Sequence, residues 1–520
     1  MTAIDTAPAQ PLSRVSRSRL ISSSVYSTAS QVLSLPIALV VNSFVVHRIG
    51  LDNYGIWATL TMILGYGSLL SLGINESLVK YVAEYMASGR RHEINALVST
   101  SMVVYSVIGM AFVAVMALAA NWILIHEFHA QPGNTELYEF YLAVVVGCAV
   151  SLALSVLNAL VIGLQRADLV AKALLAYNLI NAVASVIAVM AGLGFAGLAL
   201  AWLISQFCGE IILWLIARHL FPELSLNPFL FRRSTLKQIA RFSSKVQVTT
   251  LTLTLNDQVD RTLIGFALGP AMLGAYALAS RAASALRKIS FGVMSGVLAA
   301  GSDLSALDDA TRLRRLYLRA SRYIAIVDFG LMAATGGLAV PLVWAWLGDG
   351  FARTAVTLMI IVAGYAIWLP DQATSDLLYS INKPGIRMRA DVAFLCIHLP
   401  ISIVLIWRFG YFGTVVGTAV ALSITRLYLY RAGSRALGVP SLELVRKSFL
   451  QPAVAALLAL GAVAAVQISG IPLSLPALVG EIALFVAVYG GYIAAFALDR
   501  YDYDLLQSYL RPLVKRLLPA

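Results

Sequence analysis

The chain reads as a succession of long apolar runs separated by short polar connectors. Fourteen of the runs approach or exceed the roughly 20 residues that a helix needs to cross a bilayer core: 20–47, 54–76, 95–125, 138–164, 172–193, 195–218, 245–267, 270–299, 320–347, 354–381, 388–408, 412–433, 449–470 and 476–498. The pattern predicts an all-α polytopic membrane protein. The longest pieces between spans, 219–244 and 300–319, are too short for a domain with its own core. The first run is interrupted by Ser22, Ser23, Ser24 and Gln31 and outlasts the short apolar core of a signal peptide, so it reads as a retained span.

Composition agrees with the pattern. The 520 residues are 59% hydrophobic and 12% charged, against about half and about a quarter in a globular chain. A net charge of +12 would suggest nucleic acid in a soluble protein, but the positions of the charges argue otherwise. With the N-terminus in the cytoplasm, 31 of the 38 basic residues fall on the cytoplasmic side, and only Arg48, Arg353 and Arg408 fall on the other. Lys and Arg mark cytoplasmic loops, so both termini are expected inside and no nucleic-acid partner is expected.

Several chemistries find no support. Cys148, Cys208 and Cys396 lie far apart in apolar stretches and read as packing residues. His126 and His129 flank Glu127 without a further ligand nearby, a poor zinc signature, so no metal or cofactor is expected. There is no GxxxxGK[ST], HExxH or GxSxG motif, which disfavours an ATP-driven pump or a hydrolase. The outer connectors are short, the longest running from His126 to Glu139, which disfavours a membrane glycan polymerase or ligase. The expectation is a transporter rather than an enzyme.

Three connectors recur at nearly one offset. Gly194-Phe195-Ala196-Gly197 returns as Gly410-Tyr411-Phe412-Gly413, 216 residues on. Gly163-Leu164-Gln165-Arg166 matches Ser380-Ile381-Asn382-Lys383 at 217, and the stretch from Gly50 to Gly55 resembles that from Gly269 to Tyr276 at 219. Such repetition in order predicts two six-helix lobes, 20–218 and 245–433, followed by two further helices over 449–498. A cytoplasmic segment 1–19, a basic linker 219–244 and an amphipathic tail 499–520 complete the organisation. Lobes with an even number of spans share their topology, which predicts a substrate path between them lined by spans one, two, seven and eight.

Ionisable residues within spans are costly and are the informative positions. Asp257, Asp260 and Arg261 crowd span seven, with Asp257 and Arg261 spaced for an intrahelical pair. Arg281, Arg287 and Lys288 lie in span eight; Arg281 and Lys288, seven apart, share a helix face and could hold an anionic phosphate. Asp260 and Asp371 first, then Asp257, Asp328 and Glu210, are candidate coupling carboxylates for a proton or sodium gradient, and Arg287 and Arg261 join Arg281 and Lys288 as candidate substrate-binding cations. Glu210 and Arg426 are separated by the repeat offset, and each is expected to pair within its own lobe. Residues 234–242 and 505–516 have one apolar side and basic neighbours, which suits anionic lipid headgroups at the membrane surface.

The run from Ile49 to Trp57, with Leu72-Gly73-Ile74-Asn75 and the run from Lys80 to Tyr85, resembles the start of the polysaccharide-unit flippases (Wzx-type) of the multidrug/oligosaccharidyl-lipid/polysaccharide exporter superfamily. The run from Asp260 to Gly265 and Leu273-Gly274-Ala275-Tyr276 resemble the start of that superfamily's second lobe. The resemblance spans the chain and implies fourteen spans in two lobes. It also implies flipping of an undecaprenyl-pyrophosphate-linked glycan across the bacterial inner membrane, by a monomer working beside a polysaccharide polymerase and a chain-length regulator. A cation-coupled multidrug exporter of the same superfamily is the alternative, disfavoured by the cations of span eight.

Overall fold

A computed structural model of the chain describes residues 14–128, 135–293 and 309–498, with positions 297, 305 and 502. Regular structure among the described residues is helical throughout. The main helices are α1 (Arg14–Gly67), α2 (Ile74–Ala87), α3 (His92–His126), α4 (Thr135–Leu154), α5 (Val156–Gly163), α6 (Ala167–Met190), α7 (Gly194–Leu220), α8 (Arg233–Leu268) and α9 (Pro270–Val293). They continue with α10 (Ala310–Gly337), α11 (Ala339–Leu347), α12 (Ala352–Trp368), α13 (Asp371–Ser380), α14 (Pro384–Phe409), α15 (Tyr411–Ala436), α16 (Leu450–Ile468) and α17 (Leu475–Tyr492). A chain immersed in hydrocarbon must satisfy its backbone groups internally, which helices do segment by segment.

Among the described residues, nine spans are long and apolar enough to cross a membrane, or eleven when two bent helix pairs are included. The bent pairs are the end of α1 with α2, at 46°, and α10 with α11, at 67°. Helices also occupy predicted spans seven and eight, but α8 and α9 are too polar to pass as simple lipid-facing spans. Spans one and two form one helix, α1, interrupted by the non-helical Gly50 (φ 79°, ψ 165°).

By internal contacts the chain divides into two compact units, residues 1–254 and 255–520. The core of the first unit is built from Leu78 and Val82 of α2, Ile94, Leu97 and Tyr105 of α3, Leu157 and Leu160 of α5, and Ile239 of α8. That last residue corrects an expectation. Residues 234–242 do not form a separate surface helix: α8 runs unbroken from Arg233, and Ile239 is buried in the unit's core. Tyr85 donates to Gln238 at 3.1 Å, and the Ser77 and Ser243 hydroxyls lie 2.7 Å apart. The apolar side thus faces protein rather than lipid, while Arg233, Lys237 and Arg241 remain exposed. The predicted tail 499–520 lies outside the described residues except Asp502, which ion-pairs with Arg322 of α10 at 2.6 Å.

The repeat reappears in the backbone. Each recurring connector carries a left-handed residue at the matching place in both halves: Gly50 and Gly269 (φ 79° and 86°), Gln165 and Asn382 (62° and 57°), Gly194 and Gly410 (54° and 61°). Gln165 and Asn382 hold this conformation although they are not glycine, a strained backbone that the surrounding turn must enforce in both halves.

In the second unit, α14 and α15 form a tight hairpin. Gly413 and Gly417 of α15, four apart on one face, lie so close to α14 that a Cβ at Gly413 would collide with the Leu405 backbone and one at Gly417 with the Ser402 hydroxyl. Small residues allow such approach where no hydrophobic effect drives association. Gly413→Ala is therefore expected to lower stability by about 1–3 kcal/mol, read as a lower thermal unfolding midpoint in detergent. Gly385→Ala, where a Cβ meets nothing within 4 Å, should leave it unchanged.

Candidate functional site

The buried polar groups of the second unit form two clusters. In the first, Asp371 at the start of α13 meets two arginines. Arg387 Nη1 of α14 lies 3.0 Å from its Oδ1, and Arg426 Nη1 of α15 lies 3.1 Å from its Oδ2. Asp391 closes the group, receiving Arg387 Nε at 2.8 Å and Arg426 Nη2 at 2.9 Å. Arg387 also donates to the Ser375 hydroxyl. Two carboxylates and two guanidiniums make the quartet formally neutral, which is what allows four charges to be buried together. Arg426 thus pairs within its own lobe, as expected. Arg387 and Arg426 are both among the 31 basic residues counted from sequence on the cytoplasmic side, yet both are built into this network, Arg387 with its side chain only 13% exposed.

The second cluster centres on Asp260 of α8. Its Oδ1 lies 2.9 Å from His398 Nε2 of α14, and its Oδ2 accepts from the Thr418 hydroxyl of α15 at 2.6 Å and from Tyr276 of α9 at 3.1 Å. His398 is fully buried and stacks on Phe394, with ring centroids 4.9 Å apart. Sequence reading finds Asp260 and misses His398, Thr418 and Tyr276. These are 16 to 158 residues away from it, and only Tyr276 falls in a recognised motif.

The other predicted positions are separate. Asp328 of α10 is fully buried, and neither of its oxygens meets a hydrogen bond of ordinary geometry among the described residues, although the Ser290 hydroxyl and the Asp371 carboxylate act on it. On α9, Arg281 and Lys288 are exposed, whereas Arg287 lies over the Trp368 ring at 5.5 Å. Arg281 and Lys288 remain the pair that shares a face of α9, while the ring of α12 takes Arg287. Arg261 is half-buried. The Asp257 side chain lies outside the described residues, and with it the expected pair to Arg261.

The first unit contains a cavity of about 570 Å³ lined in part by Ser71, Asn75, Glu76, Ser151, Ser155 and Trp202. Its polar wall is internally bonded: Tyr105 donates to Asn75 Oδ1 and to the Ser71 carbonyl, both at 3.0 Å. Glu210 lies behind this wall, accepting from Ser151 at 3.3 Å and from Gln206 at 3.1 Å. It too is bonded within its own lobe. Among the described residues no group of three potential ligands could hold a metal ion.

This arrangement of helices is shared with solved membrane transporters. The lipid II flippase MurJ in an inward closed conformation matches with a TM-score of 0.69 at 16% identity, over 93% of this chain and 99% of that one. An inward-facing multidrug resistance MATE family transporter of the MOP superfamily matches with a TM-score of 0.67 at 14% identity, over 82% and 99%. The fold is the one that these two solved proteins share. Residues 48–356 match the family model described as polysaccharide biosynthesis protein, and the chain belongs to that family. It is also 23% identical over 345 residues to the membrane protein EpsK of Bacillus subtilis (strain 168), which covers 65% of this chain and 66% of EpsK, just under two thirds of that protein.

Removing one partner from the buried quartet leaves an uncompensated charge. Arg426→Ala is expected to destabilise the protein by about 3–5 kcal/mol, seen as loss of folded protein in size-exclusion chromatography. The double variant Arg426→Leu with Asp391→Leu, which removes one charge of each sign, should recover part of that loss.

Proposed function

We propose that the protein is a secondary transporter that flips undecaprenyl-pyrophosphate-linked oligosaccharide units from the cytoplasmic to the outer leaflet of the bacterial inner membrane. It does so by alternating access, with both termini in the cytoplasm, and supplies exopolysaccharide, capsule or O-antigen assembly. Membership of the polysaccharide biosynthesis family carries this reading, because it joins glycan assembly to a transporter fold. The chemistry of α9 supports it. Arg281 and Lys288 are exposed and seven residues apart, so they share a helix face. A guanidinium matches two phosphate oxygens at once and an ammonium adds a mobile point charge, which suits a pyrophosphate.

The fold is also shared with multidrug transporters, so cation-coupled drug export is the second reading. The same cationic face disfavours it, since a cationic drug would meet like charge. A polysaccharide polymerase and a chain-length regulator are the partners that the first reading implies.

Arg281→Ala is expected to reduce flipping of lipid-linked glycan in proteoliposomes by about tenfold or more, the cost of losing one charged hydrogen-bonding partner. Protein level and insertion should be unchanged. Wild-type flipping by well-inserted Arg281→Ala would remove Arg281 from substrate binding, and drug efflux without glycan flipping by the wild type would favour the second reading.

A further inference from the structure

The Asp260 cluster differs from the Asp371 quartet in one respect that matters for transport. Among the described residues no guanidinium or ammonium is bonded to Asp260 itself; the cation-capable partner is an imidazole. His398 Nε2 lies 2.9 Å from both Asp260 Oδ1 and Thr418 Oγ1. The Thr418 proton is donated to Asp260 Oδ2, so both neighbours of Nε2 act as acceptors and Nε2 must carry a hydrogen. The carboxylate therefore selects the tautomer, and Nδ1 is the ring atom whose lone pair can take a further proton. Nδ1 is buried and has no hydrogen-bond partner among the described residues.

Two more buried polar atoms continue from it towards the α14–α15 connector. Ser402 Oγ is one turn beyond His398 on α14, and Thr414 Oγ1 is one turn before Thr418 on α15. Both are fully buried and without a hydrogen-bond partner among the described residues. At the head of α15, the Tyr411 and Thr357 hydroxyls lie 2.8 Å apart. The row thus runs from Gly410 to Thr418, roughly 12 Å along the helix. In the proposed topology Gly410 is in an outer connector. Buried polar atoms in such a row are the kind that water bridges, and water is what relays a proton. Tyr276 of α9 donates to Asp260, and Tyr276 is in turn acted on by Arg261, next to Asp260 on α8, and by Tyr365 of α12.

On the reading of the protein as a flippase, we infer that His398, held by Asp260, is its proton carrier and determines that the coupling ion is a proton rather than sodium. A proton entering along the row adds to Nδ1, and the resulting imidazolium stays paired with the Asp260 carboxylate. Release from the same nitrogen restores the neutral ring. Sodium needs several oxygen ligands with free lone pairs, whereas here an N–H and two hydroxyls already donate to the carboxylate.

The test uses the full chain in lipid nanodiscs with ¹⁵N-labelled histidine rings. One imidazole is expected to convert from the Nε2–H form to the doubly protonated form as the pH is lowered, and this signal is expected to disappear in His398→Gln and in His398→Asn and to change in Asp260→Asn. The exposed control His92→Gln should leave that signal in place. In proteoliposomes an imposed proton gradient should accelerate flipping by the wild type and by His92→Gln, and His398→Gln should lose about nine tenths of the gradient-stimulated rate. A wild type in which no signal sensitive to Asp260→Asn titrates overturns the inference, whatever the His398 variants do. Equal acceleration by a sodium gradient at constant pH overturns it as well. Titration of His398 in a wild type that flips no glycan would support the proton site and instead remove the flippase reading.

Discussion

The cost of placing a charge in an apolar helix bundle governs the interior of this protein. Several of its span-located ionisable residues are resolved by pairing. Asp371, Asp391, Arg387 and Arg426 form a closed quartet, and Asp260 is shared among an imidazole and two hydroxyls. In the closed quartet, an ion reaching Asp371 would have to displace a guanidinium from it. That makes Asp371 a fixed joint between α13, α14 and α15. The imidazole beside Asp260 can instead change its charge without leaving its partner, so the two carboxylates, equivalent on inspection of the sequence, acquire different capacities.

Packing follows a second constraint. Lipid tails are as apolar as the side chains they surround, so helices associate through close fit and not through exclusion of water. Gly413 and Gly417 bring α15 onto α14, and this contact sets His398 opposite Thr418. The connector before it begins with Gly410 in a left-handed conformation, as the matching connector of the first half begins with Gly194. A local turn rule repeated in both halves thereby positions the hairpin on which the Asp260 cluster depends.

The membrane class, the helical content, the repeat and the resemblance to polysaccharide flippases were all legible along the chain. Each depends on local or periodic features: runs of apolar residues, glycine connectors, the distribution of Lys and Arg. The expectation for residues 234–242 was also drawn from a local feature, an amphipathic face with basic neighbours. It misled because amphipathicity specifies that one face seeks an apolar surface and leaves open which surface, and Ile239 finds the core of its own unit.

The candidate site was legible only in its costly members. Asp260, Asp328, Asp371 and Glu210 stand out because carboxylates are rare in apolar runs, and Arg281 and Lys288 because their spacing places them on one face. Asp391 and His398, both inside the run 388–408, carry the same kind of signal and went unread; Thr418 carries none, and Arg387 at a span end reads as an address. The amino-acid sequence by itself determined that charges would lie within the membrane region and how often. Only the tertiary structure decided which partners they would have, because a partner up to 158 residues away is chosen by helix packing, and it is the partner that separates a locked ion network from a site able to exchange a proton.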